Sequence, residues 1–319
     1  MDELDQFASI ADMPAQRASA PASRAEARAR YFNTGNAFDI RLAPVPDQIF
    51  TAEAARALDP GSPTGLIPCD NSATLGCSFP ATSPLVLARY ARIRPRETLS
   101  STFVASSVIV YVIAGQGTTN FAAEEIVWGP GDIIVLPGGI EHRHRPTGEE
   151  SAVLWIVTNE PQLAFENLCP PEAGSTAIEA VHYTAEEMKR QIDLIYRVGR
   201  DESIAGSALI LSSDSPEAQA RRNALPTLTI AMNSLEPGTV QRSHRHNAVA
   251  ISLIVQGEKC YSVIDGARKD WAPWATTVTP PTSFHSHHND GESRAFFLII
   301  QDGGLYYHTR AMGFAYEDE

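Results

Sequence analysis

Residues 236–246 read EPGTVQRSHRH and end in two histidines that are separated by one residue. In a β-strand alternate side chains share a face, so His244 and His246 point to the same side, about 6–7 Å apart at the backbone. A second histidine-rich stretch, TPPTSFHSHHN at 279–289, follows. Two imidazoles on one strand and a third from an adjacent strand can hold one transition-metal ion. We therefore predict a metal site made of His244, His246 and a histidine of the 285–288 cluster, the alternative being a hydrogen-bonded set of core histidines.

The bulk composition is that of a soluble globular protein. The 319 residues are 43% hydrophobic and 20% charged, and the chain is long enough for two domains. A net charge of −13 argues against nucleic acid or an anionic membrane as the main partner. No apolar run approaches the ~20 residues that span a bilayer, no apolar signal segment is visible, and the four cysteines have no CxxC spacing. We expect a cytoplasmic protein with free thiols.

Punctuation by proline and glycine divides the chain into four parts. Residues 1–84 are predicted to form an irregular arm with a short helix near 22–31. Residues 85–160 contain short apolar runs between Gly/Pro turns, which is typical of a small antiparallel barrel. Residues 161–226 are predicted to be a linker, whose helix starts at the capping box 184–187. Strand-like runs resume over 227–319.

The two strand-rich parts repeat each other. IAGQG at 113–117 corresponds to IVQGE at 254–258, and PGGIEHRH at 137–144 corresponds to PPTSFHSH at 280–287. The period of about 140 residues is the size of one domain, which indicates a duplication.

The motifs resemble those of the cupin superfamily. The cupin pattern of a glycine turn, His-x-His, a second glycine turn and Pro-x4-His is matched by 237–246, 255–258 and 280–285. The likeness is sharpest to the gentisate and salicylate 1,2-dioxygenase family, through HRHN at 244–247, YSVIDG at 261–266 and TPPTSFHSHHN at 279–289. It implies an all-β fold of two tandem cupin barrels (double-stranded β-helices, or jelly rolls), with the arm and linker helix added.

Departures from the family pattern bear on the site. The usual cupin glutamate is missing from 247–252, and the family's arginine six positions after the second histidine is replaced by Ser252. The family's metal is usually in the N-terminal cupin. Here the corresponding stretch, 99–106, contains no ligand, so the N-terminal barrel is predicted to be metal-free despite His142 and His144.

The resemblance implies an enzyme, a gentisate-like 1,2-dioxygenase of extradiol type that uses Fe(II) and O2. Its substrate would be a small hydroxylated aromatic carboxylate, such as gentisate or a 5-substituted salicylate. The resemblance implies His244, His246 and His285 as the metal ligands, and Zn, Mn, Ni and Cu are alternatives for the metal. His287, two residues beyond His285 on one strand, is predicted to contact substrate and to act in catalysis or proton transfer, with a structural hydrogen bond as the alternative. Gln241 and Asn233 are candidate substrate contacts, with a purely structural role as the alternative.

Two other functions fit the same residues. One is a different metal-dependent cupin enzyme, such as an isomerase, a lyase or a thiol dioxygenase. The other is a bicupin that binds a small ligand without catalysis. A homodimer or homotetramer is expected from the resemblance.

Overall fold

The computed structural model describes residues 7–170, 172, 175, 178–198 and 207–317. The chain forms two compact units, residues 1–43 and 44–319. The first unit contains a 3-10 helix, Ile10–Asp12, and a five-residue helix α1, Arg24–Arg28, shorter than the predicted one. Ser23 caps α1 by accepting the backbone N–H of Glu26. No helix in the described ranges is both long and apolar enough to cross a membrane.

The second unit begins with short elements and continues into a first barrel. The short elements are β1 (Ile49–Phe50), α2 (Ala52–Leu58), β2 (Gly65–Pro68) and α3 (Ser72–Leu75). The strands of the first barrel are β3 (Leu87–Ile93), β4 (Leu99–Thr102), β5 (Ser107–Ala114), β6 (Gly117–Phe121), β7 (Glu124–Trp128), β8 (Ile133–Pro137), β9 (Glu141–Pro146) and β10 (Ala152–Thr158).

A connecting region leads to a second barrel. The connection contains α4 (Glu160–Glu166), β11 (Val181–Tyr183), α5 (Ala185–Val198), β12 (Ser207–Ile210) and α6 (Pro216–Arg221). The second barrel and the segment after it contain β13 (Thr229–Leu235), β14 (Val240–His246), β15 (Ala250–Gln256), β16 (Cys260–Ile264), β17 (Ala267–Asp270), β18 (Thr276–Thr279), β19 (His285–Asn289), β20 (Ala295–Gln301), α7 (Gly303–Thr309) and β21 (Phe314–Tyr316).

The two barrels have the same strand order. One sheet of the first barrel runs β11-β8-β5-β10-β3-β2, and its counterpart in the second runs β1-β18-β15-β20-β13-β12. The opposing sheets are β4-β9-β6-β7 and β17-β16-β19-β14-β21. This equivalence confirms the predicted all-β architecture of tandem double-sheet barrels.

The structure differs from the predicted parts in the arm and the linker. Within the predicted arm, β1 pairs with β18 and β2 pairs with β3, so residues 44–84 contribute edge strands to both barrels. Within the predicted linker, β11 and β12 likewise extend one sheet each. The predicted linker helix is α5, which buries Met188 and Ile192, whereas Val198 is exposed. Strands of two to four residues are too short to show alternation, so sequence pattern alone did not reveal them.

One hydrophobic core runs across both barrels, and a polar junction lies inside it. The hydroxyl of Thr276 is 2.9 Å from Nε1 of Trp155, which donates to it, and 2.7 Å from the hydroxyl of Tyr90. All three residues are buried. Because indole N–H is only a donor, Trp155 depends on Thr276 for its hydrogen bond. Thr276 thus joins two side chains of the first barrel to the second.

We expect Thr276→Val to destabilise the protein by about 1–3 kcal/mol, because the shape is kept while the buried indole N–H loses its acceptor. Urea unfolding of this variant and of the matched variant Thr277→Val, at a half-buried neighbour, measures the difference. Equal midpoints for the two variants would contradict the role given to Thr276.

Candidate active site

Antiparallel pairing of β14 with β19 brings the three predicted ligands together. His244 lies opposite His285, and Gln241 lies opposite His287, with a register shift between the two pairs. The imidazole centroid of His285 is 4.4 Å from that of His244 and 4.9 Å from that of His246. Their ligand nitrogens all lie within 4.8 Å of one another. In the part of the chain that the structure describes, this is the one such group of three His, Cys, Asp or Glu side chains.

The backbone fixes the tautomer of each of these imidazoles. Nδ1 of His244 is 2.8 Å from the carbonyl of Arg242, and Nδ1 of His246 is 2.8 Å from the carbonyl of Ala248. Nδ1 of His285 is 2.9 Å from the carbonyl of Ser283. A carbonyl only accepts, so each Nδ1 carries the proton and each Nε2 keeps its lone pair. This is the arrangement in which histidines hold a metal, and the three residues fit one.

Burial keeps the trio neutral. Desolvation lowers the pKa of His246 to about 4 and that of His285 to about 2, and it also lowers the pKa of His244. Because a protonated imidazole cannot bind a metal, the lowered pKa values favour the ligand form at neutral pH.

The trio opens into a cavity of about 360 Å³ inside the second barrel. Its described lining contains no lysine or arginine. The polar groups besides the trio are Asn233, Gln241, Ser252, His287, Gln301 and Tyr307. The apolar lining residues are Ala208, Ile210, Ala231, Ala250, Ile299, Met312 and Phe314. The structure therefore brings all the sequence-predicted site residues into one pocket, and Ser252 is there too, where the family pattern has arginine.

His287 has the opposite tautomer to the trio. Trp271 Nε1, which only donates, is 2.8 Å from the hydroxyl oxygen of Ser262. That oxygen is also 2.8 Å from Nδ1 of His287. The Ser262 oxygen accepts from Trp271, and among the described hydrogen bonds Nδ1 of His287 is the one acceptor for the hydroxyl's own proton. His287 therefore carries its proton on Nε2. Burial lowers the pKa of His287 to about 3. His287 is thus a neutral residue whose remaining polar group is an N–H donor.

The first barrel contains a copy of this hydrogen-bond chain without the trio. Trp128 Nε1 donates to the hydroxyl of Thr119, which is 2.8 Å from Nδ1 of His144. Neighbouring His142 is also fully buried. Desolvation lowers the pKa of His142 to about 4 and that of His144 to about 3. The duplication therefore extends from strand order to individual hydrogen bonds.

These two histidines should make stability fall in acid. Each folded-state pKa lies below the value of about 6.5 for an unfolded chain, so below pH 6.5 the unfolded state binds more protons. Their contribution to the free energy of unfolding is fully present above pH 6.5 and is lost as the pH falls toward 4 and 3. Between pH 7 and pH 5 the loss is about 2 kcal/mol for each residue. Urea midpoints of the metal-free protein measure this loss. His142→Leu should flatten the pH dependence, whereas His308→Leu, at an exposed position, should not; a flat wild-type profile would contradict the account.

Sequence reasoning missed the mouth of the pocket, which the segment after β20 forms. β21 pairs with β14 so that Phe314 lies opposite His246, and the Phe314 ring stacks on His244 at 5.2 Å. The side chain of Asn247 holds this segment, donating to the carbonyl of Ala311 and accepting the N–H of Gly313. The only sequence signal was the asparagine beside the His-x-His motif, and its partners lie more than sixty residues away.

Comparison with known proteins agrees with this architecture. A family model described as Cupin domain matches residues 104–158. The salicylate 1,2-dioxygenase from Pseudaminobacter salicylatoxidans superposes with a TM-score of 0.71 at 15% identity, over 86% of this chain and 89% of that one. The protein has the bicupin fold. At this identity the superposition shows the fold and not the reaction.

Sequence relatives of this chain include proteins named as aromatic-ring dioxygenases. A 5-aminosalicylate 1,2-dioxygenase of Comamonas sp is 36% identical over 80 residues, which are 25% of this chain and 21% of the relative. A gentisate 1,2-dioxygenase of Ralstonia sp is 24% identical over 144 residues, 44% of this chain and 40% of the relative. The chain thus spans between a fifth and two fifths of the length of these relatives. The names of these relatives state 1,2-dioxygenation. They do not confirm the extradiol type that the sequence analysis predicted.

Proposed function

We propose that the protein is an Fe(II)-dependent ring-cleaving 1,2-dioxygenase of a hydroxylated, monocyclic aromatic carboxylate. The observation that carries the proposal is the histidine trio, whose ligand nitrogens lie within 4.8 Å of one another and line a cavity of about 360 Å³. Its sequence relatives, which are named for ring dioxygenation, support the reaction class.

The trio would hold the ion through His244, His246 and His285. Iron(II) held there would supply open coordination positions and the redox chemistry needed for a reaction with dioxygen. The protein supplies orientation and a dry site. His287 lines the pocket, and its Nε2–H could donate to a phenolic or carboxylate oxygen of the substrate. Phe314 and Ile299 add apolar walls that limit the access of water.

Charge and hydrogen bonding in the pocket narrow the range of substrates that it can bind. With Ser252 at the position of the family's arginine, a substrate carboxylate has no cationic side chain to pair with among the described lining residues. Asn233 Oδ1 and Gln241 Oε1 are buried acceptors without partners. Buried acceptors are stabilised by a ligand that donates to them. We therefore propose substrates with a hydroxyl or amino substituent on the ring, such as gentisate or 5-aminosalicylate.

Oxygen uptake tests this function directly. Protein purified without oxygen and loaded with Fe(II) would be mixed with gentisate, 5-aminosalicylate, 5-nitrosalicylate and salicylate, with His285→Ala as the control. We expect uptake that requires His285 and is faster with the hydroxyl- and amino-substituted rings. Bound iron without uptake on any of these rings would refute ring cleavage and favour another metal-dependent cupin reaction or a binding role. Loading with Zn, Mn, Ni or Cu in parallel identifies the active metal.

A further inference from the structure

Gln301 lies beside the histidine trio but belongs to none of the sequence motifs. It is the last residue of β20, and its Nε2 is 3.0 Å from Nε2 of His246. Since Nδ1 of His246 carries the proton, its Nε2 is an acceptor, and Gln301 donates to it. The other amide atom, Oε1, accepts from the hydroxyl of Thr229 at 3.4 Å. The amide of Gln301 therefore lies directly in front of a predicted metal-binding nitrogen.

The distance between these two groups matches that of neighbouring ligands on one ion. Two ligands at right angles, each about 2.1 Å from a metal, are about 3.0 Å apart. A bound ion would take the lone pair of His246, and the N–H of Gln301 would then face a cation. Turning the amide over directs Oε1 to the ion and Nε2 to Thr229, whose hydroxyl can accept as well as donate. Both amide atoms keep a partner in the turned orientation.

We propose that Gln301 is a fourth protein ligand of the metal and binds through its amide oxygen. The proposal rests on the metal site of the proposed function but not on its substrate. Gln301 thus supplies an oxygen ligand from β20. The usual cupin pattern takes its oxygen ligand from a glutamate in the segment after His-x-His, and 247–252 contains no glutamate. An amide oxygen is neutral, so an anionic chelating substrate can displace it more easily than a carboxylate.

Cobalt(II) binding to the metal-free protein, without oxygen or substrate, tests the proposal. Affinity would be measured by competition with a chelator, and coordination by the visible absorption of the bound cobalt. We expect Gln301→Leu to weaken binding about 10- to 100-fold and to change the absorption spectrum at saturation. Gln301→Glu, which places a carboxylate oxygen at the same position, should tighten binding. The matched control Gln241→Leu removes another amide from the same pocket and should alter neither affinity nor spectrum.

The outcomes separate this proposal from the proposed function. Unchanged cobalt affinity in Gln301→Leu would overturn it, as would weaker binding with an unchanged spectrum, because the amide would then act on a metal-bound water. Weaker binding in Gln301→Glu would also overturn it, and this variant remains informative if the leucine variant does not fold. If the wild-type protein binds no cobalt, the metal site itself is refuted; if it binds cobalt but catalyses no ring cleavage, only the substrate assignment fails.

Discussion

Replacing His246 with alanine should remove the metal from the protein. Only His244 and His285 of the trio would remain. Holding an ion that keeps open coordination positions requires a facial set of three imidazoles, so the remaining two would not retain it. Because burial lowers the pKa of His246 to about 4, its imidazole is neutral and able to bind metal at neutral pH. We therefore expect loading with Fe(II) to fall from stoichiometric to near zero and oxygen uptake to fall with it.

Metal analysis after gel filtration measures this effect, and the same stretch of sequence provides the control. His288 is adjacent to His287 but stacks on Tyr261 at 4.5 Å and does not line the pocket. His288→Ala should keep its metal and its activity. Stoichiometric iron in His246→Ala would mean that the ion is held elsewhere.

Replacing His287 with leucine should lower kcat/KM by about 10²- to 10⁴-fold while leaving the metal content unchanged. The residue does not belong to the trio, and its only group free to act is the Nε2–H that the Ser262 hydrogen bond enforces. Ser262→Ala should give a smaller loss, because His287 keeps its place but no longer has one enforced tautomer.

The first barrel supplies a matched control for this prediction. His144 has the same hydrogen-bond chain, through Thr119 and Trp128, but lies outside the pocket. His144→Leu should leave kcat/KM unchanged, so that only the loss specific to the second barrel is attributed to catalysis. Steady-state oxygen uptake on the substrate found in the screen measures both variants. Equal losses in His287→Leu and His144→Leu would indicate a general effect on the fold.

Local patterns predicted much of the site, because its ligands lie on two short stretches. The spacing in 244–246 and 285–287 decides which side chains share a face, and the duplication identifies which strands face each other. The prediction of β-barrels from runs such as 107–113 holds for the same reason, since alternation and glycine turns are local signals.

The residues that sequence reasoning missed depend on pairings between distant parts of the chain. Gln301 reaches His246 only because β20 pairs with β15 and β13. Phe314 reaches His244 only because β21 adds to the edge of β14. The edge strands β1 and β2 are fixed by their partners rather than by their own two to four residues. None of these contacts leaves a periodic signal in the sequence.

The most direct test of a ring-cleaving site in the second barrel uses labelled oxygen. Fe(II)-loaded protein would be incubated with gentisate or 5-aminosalicylate under ¹⁸O2, and the product would be analysed by mass spectrometry. The account predicts a ring-opened product that contains both atoms of one labelled dioxygen, and no such product from His285→Ala. A product without label, or one formed equally by His285→Ala, would contradict it.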